Sequence, residues 1–590
     1  MKSKIVMFVA GILSSVSVWS QQSKPENPEF LKFQKSEWVD SVMNSLTPDE
    51  RIAQLIMVAA FSNRGEKHKR EILKLVQEQK VGGLLFFQGD PEAQVKLINE
   101  YQKASKVPLI GAIDAEWGLG MRLDNTISYP YQMALGAIQD EELIYKMGLE
   151  IARQIKRAGL HLNFAPVVDV NNNPENPVIN YRSFGENKFN VSQKGIAYMK
   201  GLQDGQVLAT AKHFPGHGDT DTDSHYALPQ INHPFPRLDS LELYPFKELI
   251  NAGVGGMMVA HLDIPALDST GVASTLSKPI ITGLLKERLE YKGLVVTDAM
   301  NMKGVTLGNL PGVVDKDAIL AGNDMLEYSE DVPKAIEEVR AAINAGLITQ
   351  EEIDARCRKI LAIKQWVGLD NYRPLKTQNI LKEINTPKAK ELHEKLAKAS
   401  LTVLKNENSL LPLQQKKKKK KKIASLSIGV EEESTFQKTL KKNYELENFQ
   451  LSEEAGEEEV QDIVRKLANF DVLLVAIHDT QSRPRNKISF SEDVEDLILQ
   501  LSNRKNTIFS LFKNPYVIAK IEGIENADGL ILAYQDSETA QEVTAGFIAG
   551  KSMASGKLPV SLGNKFNVGD GLTVIAIPAI LRLYRTFLLF

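Results

Sequence analysis

One short stretch of the chain combines several side chains that could bind a metal ion or transfer protons. Residues 212–225 read KHFPGHGDTDTDSH and contain three histidines and three aspartates. The aspartates, at alternate positions from Asp219, have the spacing of the first ligands of a calcium loop. That loop next needs a glycine and a glutamate, but Ser224 and Gln230 stand in those places. The stretch therefore does not match a calcium loop.

The histidines of this stretch do not match a zinc signature either. His213, His217 and His225 are spaced unlike the compact zinc motifs. Pro215 and Gly216 also prevent a helix that would carry two histidine ligands one turn apart. We therefore expect neither a metal ion nor another cofactor. A metal-dependent barrel hydrolase that uses the same histidines is the alternative.

A proton-transfer function explains the end of the stretch better. Asp223 lies two residues before His225, close enough in a turn for the carboxylate to hold the imidazole ring. Such a pair fixes the ring tautomer and stabilises imidazolium, so the histidine can act as an acid and then as a base. Asp298 supplies a separate carboxylate, and a nucleophilic carboxylate with a second acid/base group is the equipment of retaining glycoside hydrolysis. The structural alternatives are a turn cap at Asp223 and a helix N-cap at Asp298.

Alternating strands and helices must position these groups. From residue 47 to 370, apolar runs typical of buried strands alternate with amphipathic patterns such as EELIYKMGLEIARQIKRAG. The runs are QLIMVAAF, VGGLLFF, VPLIGAID, HLNFAPVVDV, VLATAKHF, VGGMMVAHLD, GLVVTDAM and NDMLEYS. Nearly continuous apolar strands indicate a parallel sheet covered by helices. The pattern predicts an α/β fold with an N-terminal (β/α)8 TIM-type barrel over residues 30–370, and a distorted barrel fits equally well.

Polar residues follow the predicted strands where each strand ends. They are Asp114, Asp169, Lys212 with His213, His261 and Asp298. A barrel places its active site at the carboxyl ends of its strands. One charged residue after a strand is commonly a helix cap, but this succession of strand ends predicts a shared pocket.

The rest of the chain is predicted to form a linker and a smaller domain. Residues 371–394 form the predicted linker, and residues 395–568 contain the strand candidates KIASLSIG, FDVLLVAI, NTIFSLF and DGLILAY between helices. An open, mostly parallel α/β sheet is expected there. The lysine run of residues 416–422 is expected to be a solvated connector. Residues 569–590 form an apolar tail that a proline and two arginines interrupt, so no stable membrane insertion is expected.

The composition excludes several classes of protein. With 590 residues the chain is long enough for two or three domains. A net charge of −3 supplies no general basic face for a nucleic acid. The single cysteine, Cys357, excludes an intramolecular disulfide, and its place on the apolar stripe of a predicted helix indicates a buried residue.

The N-terminus indicates where the protein functions. Residues 1–20 combine two lysines, a short apolar run and a serine near the predicted cleavage site, a pattern typical of a cleavable signal peptide. The absence of a cysteine near that site excludes a lipoprotein anchor. We therefore expect a periplasmic or secreted protein. A retained N-terminal anchor is the alternative.

These motifs together resemble one enzyme family. KHFPGHGDTDTDSH is similar to the signature loop of the β-N-acetylhexosaminidase branch of the family 3 glycoside hydrolases, in their two-domain form. HLNFAPVVDV, the RSFG of residues 182–185 and LVVTDAMNM resemble further motifs of that family in the expected order. ASLTVLKNENSLLPL and SGKLPVSLG resemble the start and the end of its second domain.

The resemblance implies roles for particular residues. Asp298 is implied as the nucleophile that forms a covalent glycosyl-enzyme, and His225, paired with Asp223, as the general acid/base. The implied sugar-binding residues are Asp114, Arg122, Arg182, Lys212 and His213. In the β-glucosidase branch a glutamate of the second domain usually supplies the acid/base group. The DSH loop implies that the barrel supplies it here.

The chain departs from the family pattern at one place. Where the small relatives carry DQEGGR, this chain reads DAEWGLGMR, which keeps the spacing of Asp114 and Arg122 but adds Trp117. The indole ring either stacks on a sugar or fills a wall of the pocket. The sequence leaves both interpretations open.

The expected activity is that of an exo-acting, retaining β-N-acetylglucosaminidase. Its expected partner is a peptidoglycan- or chitin-type oligosaccharide or a muropeptide, and the sequence indicates no oligomeric state. A β-N-acetylglucosaminide phosphorylase and a β-glucosidase are the close alternatives. A non-catalytic glycan-binding protein is an alternative from a different class.

Overall fold

The structure is a computed structural model that describes residues 25–306, 310–414, 421–479 and 487–575. The predicted signal peptide lies outside the described residues, as do most of the lysine run and the tail from residue 576 onward. None of the helices within the described ranges is both long and apolar enough to cross a membrane.

Eight parallel strands form the predicted barrel. They are β1 Ile56–Ala60, β2 Gly83–Phe86, β3 Ile110–Ile113, β4 Leu162–Asn163, β5 Leu208–Phe214, β6 Gly256–Val259, β7 Leu294–Thr297 and β8 Leu326–Glu327. Neighbours in sequence are neighbours in the sheet, and β1 also pairs with β8. The ring closes between β7 and β8 through a bridge from Val296 to Met325. The (β/α)8 prediction is confirmed.

Amphipathic helices cover the outside of the barrel. They are α1 Glu37–Ser45, α2 Pro48–Ala53, α3 Gly65–Lys74, α4 Pro91–Ala104, α5 Gln132–Gly136, α6 Glu141–Arg157, α7 Lys188–Asp204, α8 Phe235–Ser240, α9 Tyr244–Asn251, α10 Lys303–Thr306, α11 Val313–Ala321, α12 Val332–Asn344 and α13 Gln350–Trp366. A π-helical segment, Pro279–Arg288, precedes β7. In α6, Ile144, Ile151 and Ile155 recur at helical spacing and are buried against the sheet side.

Local signals fix where these helices begin. Asp90 caps α4, whose first residue is a proline, and the Thr349 hydroxyl accepts from the Glu352 amide in a capping box at the start of α13. Cys357 lies in α13 and is buried, as the sequence predicts. The segment predicted as a linker is largely helical: it contains α14 Ile380–Ile384 and the start of α15 Pro387–Ser400.

The second domain is an open sheet with helices on both faces. Its strands are β9 Thr402–Asn406, β10 Ile423–Ile428, β11 Leu446–Leu451, β12 Val472–Ile477, β13 Thr507–Leu511 and β14 Gly529–Leu532, in the spatial order β11-β10-β12-β13-β14-β9. Only β9 runs antiparallel among the pairs described. The helices are α16 Thr435–Lys441, α17 Glu457–Leu467, α18 Glu492–Ser502, α19 Val517–Lys520 and α20 Glu538–Ile548. The expected mostly parallel sheet is confirmed.

The two domains share an apolar core. Met133, Ala134 and Ala137, in and beside α5 of the barrel domain, belong to the same buried cluster as the core of the second domain. Polar contacts surround this cluster: the Glu186 amide donates to the Pro559 carbonyl at 3.0 Å, and the Glu186 carboxylate accepts from the Ser561 amide and hydroxyl at 2.9 and 2.6 Å. The second domain is therefore fixed beside the loops that follow β3 and β4.

Candidate active site

The strand ends bring a buried carboxylate and two cations together. Asp114, directly after β3, accepts from Lys212 Nζ at 2.8 Å and from Arg122 Nη2 at 2.6 Å. Burial alone lowers the pKa of Lys212, but Asp114 and a second carboxylate raise it above its ordinary value, so the ammonium stays charged. Three of the residues predicted to bind sugar thus form one rigid cluster.

The second carboxylate of this cluster is Glu116, which the sequence analysis did not single out. Its carboxylate accepts two bonds from Arg182, at 3.0 and 2.7 Å, and lies 2.9 Å from Lys212 Nζ. Burial alone raises the pKa of Glu116, but Arg182 and Lys212 bring it down to about 2. Its position two residues after Asp114 was the available signal, because alternate residues of an extended segment point to one side.

His213 is held by Asp169, which ends the predicted fourth strand. The His213 amide donates to both Asp169 oxygens at 3.2 Å, and its ring Nδ1 lies 2.7 Å from Oδ2. The ring Nε2 lies 3.3 Å from Arg182 Nη2. Asp169 therefore has a positioning role that the sequence suggested only by its place at a strand end.

Asp298 follows β7 and lies half-buried at the same end of the barrel. Burial alone raises its pKa, but the net shift is downward, because His213 and His261 lie nearby and the Ala299 amide donates to Oδ1 at 2.8 Å. The carboxylate is therefore ionised at neutral pH, as a nucleophile must be.

His225 and Asp223 form the predicted pair on an exposed loop. Asp223 Oδ1 accepts from the His225 amide at 2.9 Å and lies 2.8 Å from ring Nδ1, which leaves Nε2 free of this contact. The His225 side chain is 60% exposed. The ring of buried His261 contacts the Thr275 hydroxyl at 2.6 Å and the carbonyl of Ala299, the residue after Asp298, at 3.0 Å.

Residues earlier in the same loop anchor it to the barrel. The His217 amide donates to Asp169 at 2.7 Å, and its ring contacts the Thr220 and Ser224 hydroxyls at 2.8 and 3.3 Å. Burial lowers the pKa of His217 to about 4, so the ring is neutral at physiological pH. His217 is thus a neutral structural histidine beneath the loop that carries His225.

One group of side chains has a geometry that could hold a cation. Ligand atoms of Asp219, His233 and Glu242 lie within 4.8 Å of one another. Asp219 Oδ2 lies 2.6 Å from His233 Nε2, and Arg237 contacts both Glu242 and, at 3.9 Å, Asp219. The guanidinium already supplies positive charge to these carboxylates, so the arrangement is that of a loop anchor.

The Trp117 ring is buried in a wall of the pocket. Its residue exposure is 4%, and its ring centroid lies 4.7 Å from that of Tyr131 and 6.2 Å from that of Tyr181. The Tyr131 amide in turn donates to Gln535 of the second domain at 2.9 Å. The aromatic cluster therefore supports the pocket from the domain junction. Of the two interpretations of Trp117, a ring that stacks on a sugar or one that fills a wall of the pocket, the buried position agrees with the second.

Comparison with known families decides the class of the protein. Residues 47–363 match the glycosyl hydrolase family 3 N terminal domain, and residues 401–571 match the family 3 C-terminal domain. The chain belongs to glycosyl hydrolase family 3. This confirms the resemblance seen in the motifs, and it makes the protein a glycosidase.

Individual relatives of this family 3 glycosidase cover nearly its whole length. The chain is 28% identical to Beta-hexosaminidase A of Pseudoalteromonas piscicida, over 84% of this chain and 91% of the relative. It is 24% identical to a Beta-N-acetylglucosaminidase/beta-glucosidase of Cellulomonas fimi, over 89% of this chain and 95% of the relative. The structure of a glycoside hydrolase family 3 beta-N-acetylglucosaminidase from Paenibacillus sp. str. FPU-7 matches with a TM-score of 0.73 and 31% identity, covering 88% of this chain and 99% of that one.

Proposed function

We propose that this family 3 glycosidase is an exo-acting, retaining β-N-acetylglucosaminidase that acts on peptidoglycan- or chitin-type oligosaccharides. The observation that carries the proposal is the exposed His225–Asp223 pair on the loop after β5, at the same end of the barrel as the ionised carboxylate of Asp298, which follows β7. The names of the relatives support N-acetylglucosamine as the terminal sugar. The buried ion pairs around Asp114 and Glu116 supply fixed donors for its hydroxyl groups.

In the first step Asp298 attacks the anomeric carbon and forms a glycosyl ester. His225, as imidazolium, gives its Nε2 proton to the leaving oxygen, so the bond to the aglycone breaks without releasing an alkoxide. Asp223 stabilises the positive ring before transfer and keeps Nδ1 protonated afterwards.

In the second step His225, now neutral, takes a proton from water at Nε2. The resulting hydroxide attacks the anomeric carbon from the face the aglycone left and breaks the ester to Asp298. The sugar leaves with its β configuration retained, and both side chains return to their starting protonation states.

Two variants with two leaving groups test this assignment. Asp298→Ala should abolish turnover of every aryl β-N-acetylglucosaminide, because no glycosyl ester can form. His225→Ala should lose about 10²–10⁴-fold with a poor leaving group and much less with an acidic phenol that needs no proton. Asp221→Asn, an exposed aspartate of the same loop, is the matched control. Wild-type preference for an aryl β-glucoside, or turnover that survives both substitutions, would contradict the proposal.

Phosphorolysis is the second candidate, and the exposed histidine is the observation that favours it. A histidine acid/base does not repel an anionic acceptor in the way a carboxylate would. Product analysis with and without inorganic phosphate separates the two reactions. Accumulation of N-acetylglucosamine 1-phosphate identifies a phosphorylase, whereas free N-acetylglucosamine at an unchanged rate identifies a hydrolase.

We further propose that the enzyme works in the periplasm or outside the cell. The support is the signal-peptide pattern of residues 1–20. Cell fractionation with an activity assay, together with N-terminal sequencing of the mature protein, tests this. Activity confined to the cytoplasm, with residues 1–20 retained, would contradict it.

A further inference from the structure

Glu327, the last residue of β8, lies beside the implied nucleophile. The Thr297 amide donates to the Met325 carbonyl at 3.2 Å, and the Met300 amide donates to the Glu327 carbonyl at 2.8 Å. Asp298 and Glu327 therefore lie close to each other at the carboxyl ends of the adjacent strands β7 and β8. Both lie two residues beyond the bridge from Val296 to Met325, so their side chains point to the same face.

The burial of Glu327 matches that of the residues implied to bind sugar. Its residue exposure is 3%, compared with 8% for Asp114, 2% for Lys212 and 4% for His213. Each of these lies at the carboxyl end of a barrel strand, where a barrel forms its pocket. Glu327 is therefore a floor residue of the same site.

The carboxyl of Glu327 differs from the other carboxyls of the site in its partners. Asp114 accepts from two cations and Asp298 from a backbone amide. Glu327 Oε2 is buried and has no hydrogen-bond partner within the described residues. A buried polar atom without a partner is costly, so a partner is expected when the pocket is filled.

The surroundings favour the protonated form of this carboxyl. Burial raises the pKa of Glu327 well above its ordinary value, and the negative charges of Asp114 and Asp298 raise it further. Lys212 and Arg122 oppose this shift without reversing it. Of these groups, Asp114 lies at the end of β3, Lys212 at the end of β5 and Asp298 at the end of β7. Arg122 lies in the loop after β3.

We propose that Glu327 is a substrate-binding residue that donates a hydrogen bond, as a neutral acid, from its buried carboxyl to an oxygen of the terminal sugar. The inference rests on the proposed function, because it requires a monosaccharide in the pocket. A neutral donor can lie beside the implied nucleophile without adding a further negative charge to the pocket.

Binding of N-acetylglucosamine across neutral to alkaline pH tests the inference in the full-length enzyme. In the wild type, affinity should fall as pH rises through the pKa of Glu327, because the ionised form accepts but cannot donate. Glu327→Gln retains a neutral donor and should bind about threefold more weakly than the wild type at neutral pH, without the alkaline loss. Glu327→Leu should lose at least about tenfold at neutral pH, because it leaves a sugar oxygen unpaired.

Asp315→Asn is the matched control. Asp315 is also a buried acid, whose pKa burial raises to about 6, but it caps α11 and touches no residue implied in the reaction. Its replacement should leave both the affinity and its pH profile unchanged. If Glu327→Leu does not fold, the test is the alkaline loss of affinity, which the wild type should show and Glu327→Gln should not.

A second measurement does not need a sugar. Infrared difference spectra recorded during an alkaline titration should show the loss of a protonated carboxylic acid band that is absent from Glu327→Gln. Absence of that band from the wild type, or equal sugar affinity in the wild type and Glu327→Leu, would overturn the inference. Failure of the proposed function is a different result: the wild type would then not turn over aryl β-N-acetylglucosaminides at all.

Discussion

Three acidic residues at one end of the barrel differ in their pKa shifts because they have different partners. Glu116 is paired with Arg182 and Lys212, Asp298 has an amide and nearby imidazoles, and Glu327 has burial and like charges. The same chemical group is therefore an ion-pair partner at Glu116, the proposed nucleophile at Asp298 and the proposed neutral donor at Glu327. At this scale, function depends on the immediate surroundings of each side chain and not on residue type.

Glu116 offers a direct test of the ion-pair cluster. Glu116→Gln removes the bidentate partner of Arg182 and one partner of Lys212, leaving the buried ammonium and the part-buried guanidinium incompletely compensated. Breaking one side of a buried pair costs about 3–5 kcal/mol of stability. We expect urea unfolding to show a loss of this order and kinetics to show a higher KM, because the cations no longer hold the sugar.

The control for this change is Glu78→Gln, which breaks an exposed pair with Lys74 on one helical surface. Exposed pairs contribute little, so neither stability nor KM should change measurably. If the two variants lose the same free energy of unfolding, the ion pairs of Glu116 contribute no more to stability than an exposed pair.

At the scale of elements, the loop of residues 215–233 follows β5 and carries the implied acid/base group, His225. His217 holds its middle to Asp169, and the contact between Asp219 and His233 joins its two branches. His225 itself is exposed and receives from within the loop only the support of Asp223. The position of the imidazole therefore depends on anchors several residues away.

Asp219→Asn tests this dependence. The amide carries no charge to attract His233 and Arg237, so the loop should sample positions in which His225 does not reach the leaving oxygen. Misplacement of a catalytic group by about 1 Å can cost about 10²-fold, and a loss of about tenfold or more in kcat with little change in KM is expected.

Asp221→Asn is the paired control, because Asp221 is exposed in the same loop and contacts only its neighbour Thr222 among the bonds described. It should retain at least half of the wild-type kcat, an order-of-magnitude expectation for a surface change. A chelator should affect neither the wild type nor this variant. Loss of activity with chelator that zinc or calcium restores would instead make Asp219, His233 and Glu242 a metal site.

The elements that the sequence predicted were those with strong local signals. Asp114, Lys212, His213 and Asp298 stand out because a charge ends an apolar strand, and a barrel collects strand ends. Glu116 and Glu327 were missed because their properties depend on partners in distant segments of the chain, such as Arg182, which lies 66 residues from Glu116. No local pattern reveals that kind of contact.

In the second domain, too, the sequence predicted only the elements with strong local signals. Its four central strands are apolar runs and were predicted, but β9 and β11 were not. β11 reads LENFQL and is only partly buried at the edge of the sheet, so it lacks the continuous apolar run of a central strand. β9 pairs antiparallel with β14, a direction that the sequence does not specify.

At the scale of the whole molecule, the second domain supports the pocket from outside. Asn171 donates to the Tyr516 hydroxyl at 2.9 Å, and Asn514 donates to Asn180 at 2.6 Å. Both barrel residues lie in the segment that leads to Arg182. The second domain therefore fixes the loop that carries Arg182, an arginine implied to bind sugar, although the barrel supplies the implied acid/base.

Gly185→Ala tests this coupling. Gly185 has a φ of +127°, and an added Cβ would lie 2.2 Å from the Pro559 carbonyl oxygen of the second domain. The substitution should push the domains apart, displace Arg182 and lower both Tm and kcat/KM. Calorimetry and steady-state kinetics give the two values.

Gly346→Ala separates the interdomain clash from backbone strain. Gly346 also has a positive φ, of +69°, but nothing lies within 4 Å of an added Cβ. It should lower Tm modestly and leave kcat/KM unchanged. Equal effects of the two substitutions would mean that docking of the second domain does not position the pocket.

The most direct test of the central claim is to trap the glycosyl-enzyme. A slow, fluorinated N-acetylglucosaminyl donor is incubated with the wild type, and the protein is digested and mapped by mass spectrometry. The account predicts one sugar adduct on the peptide that contains Asp298, and its absence from Asp298→Ala. An adduct on another residue, or steady turnover of the donor by Asp298→Ala, would contradict it.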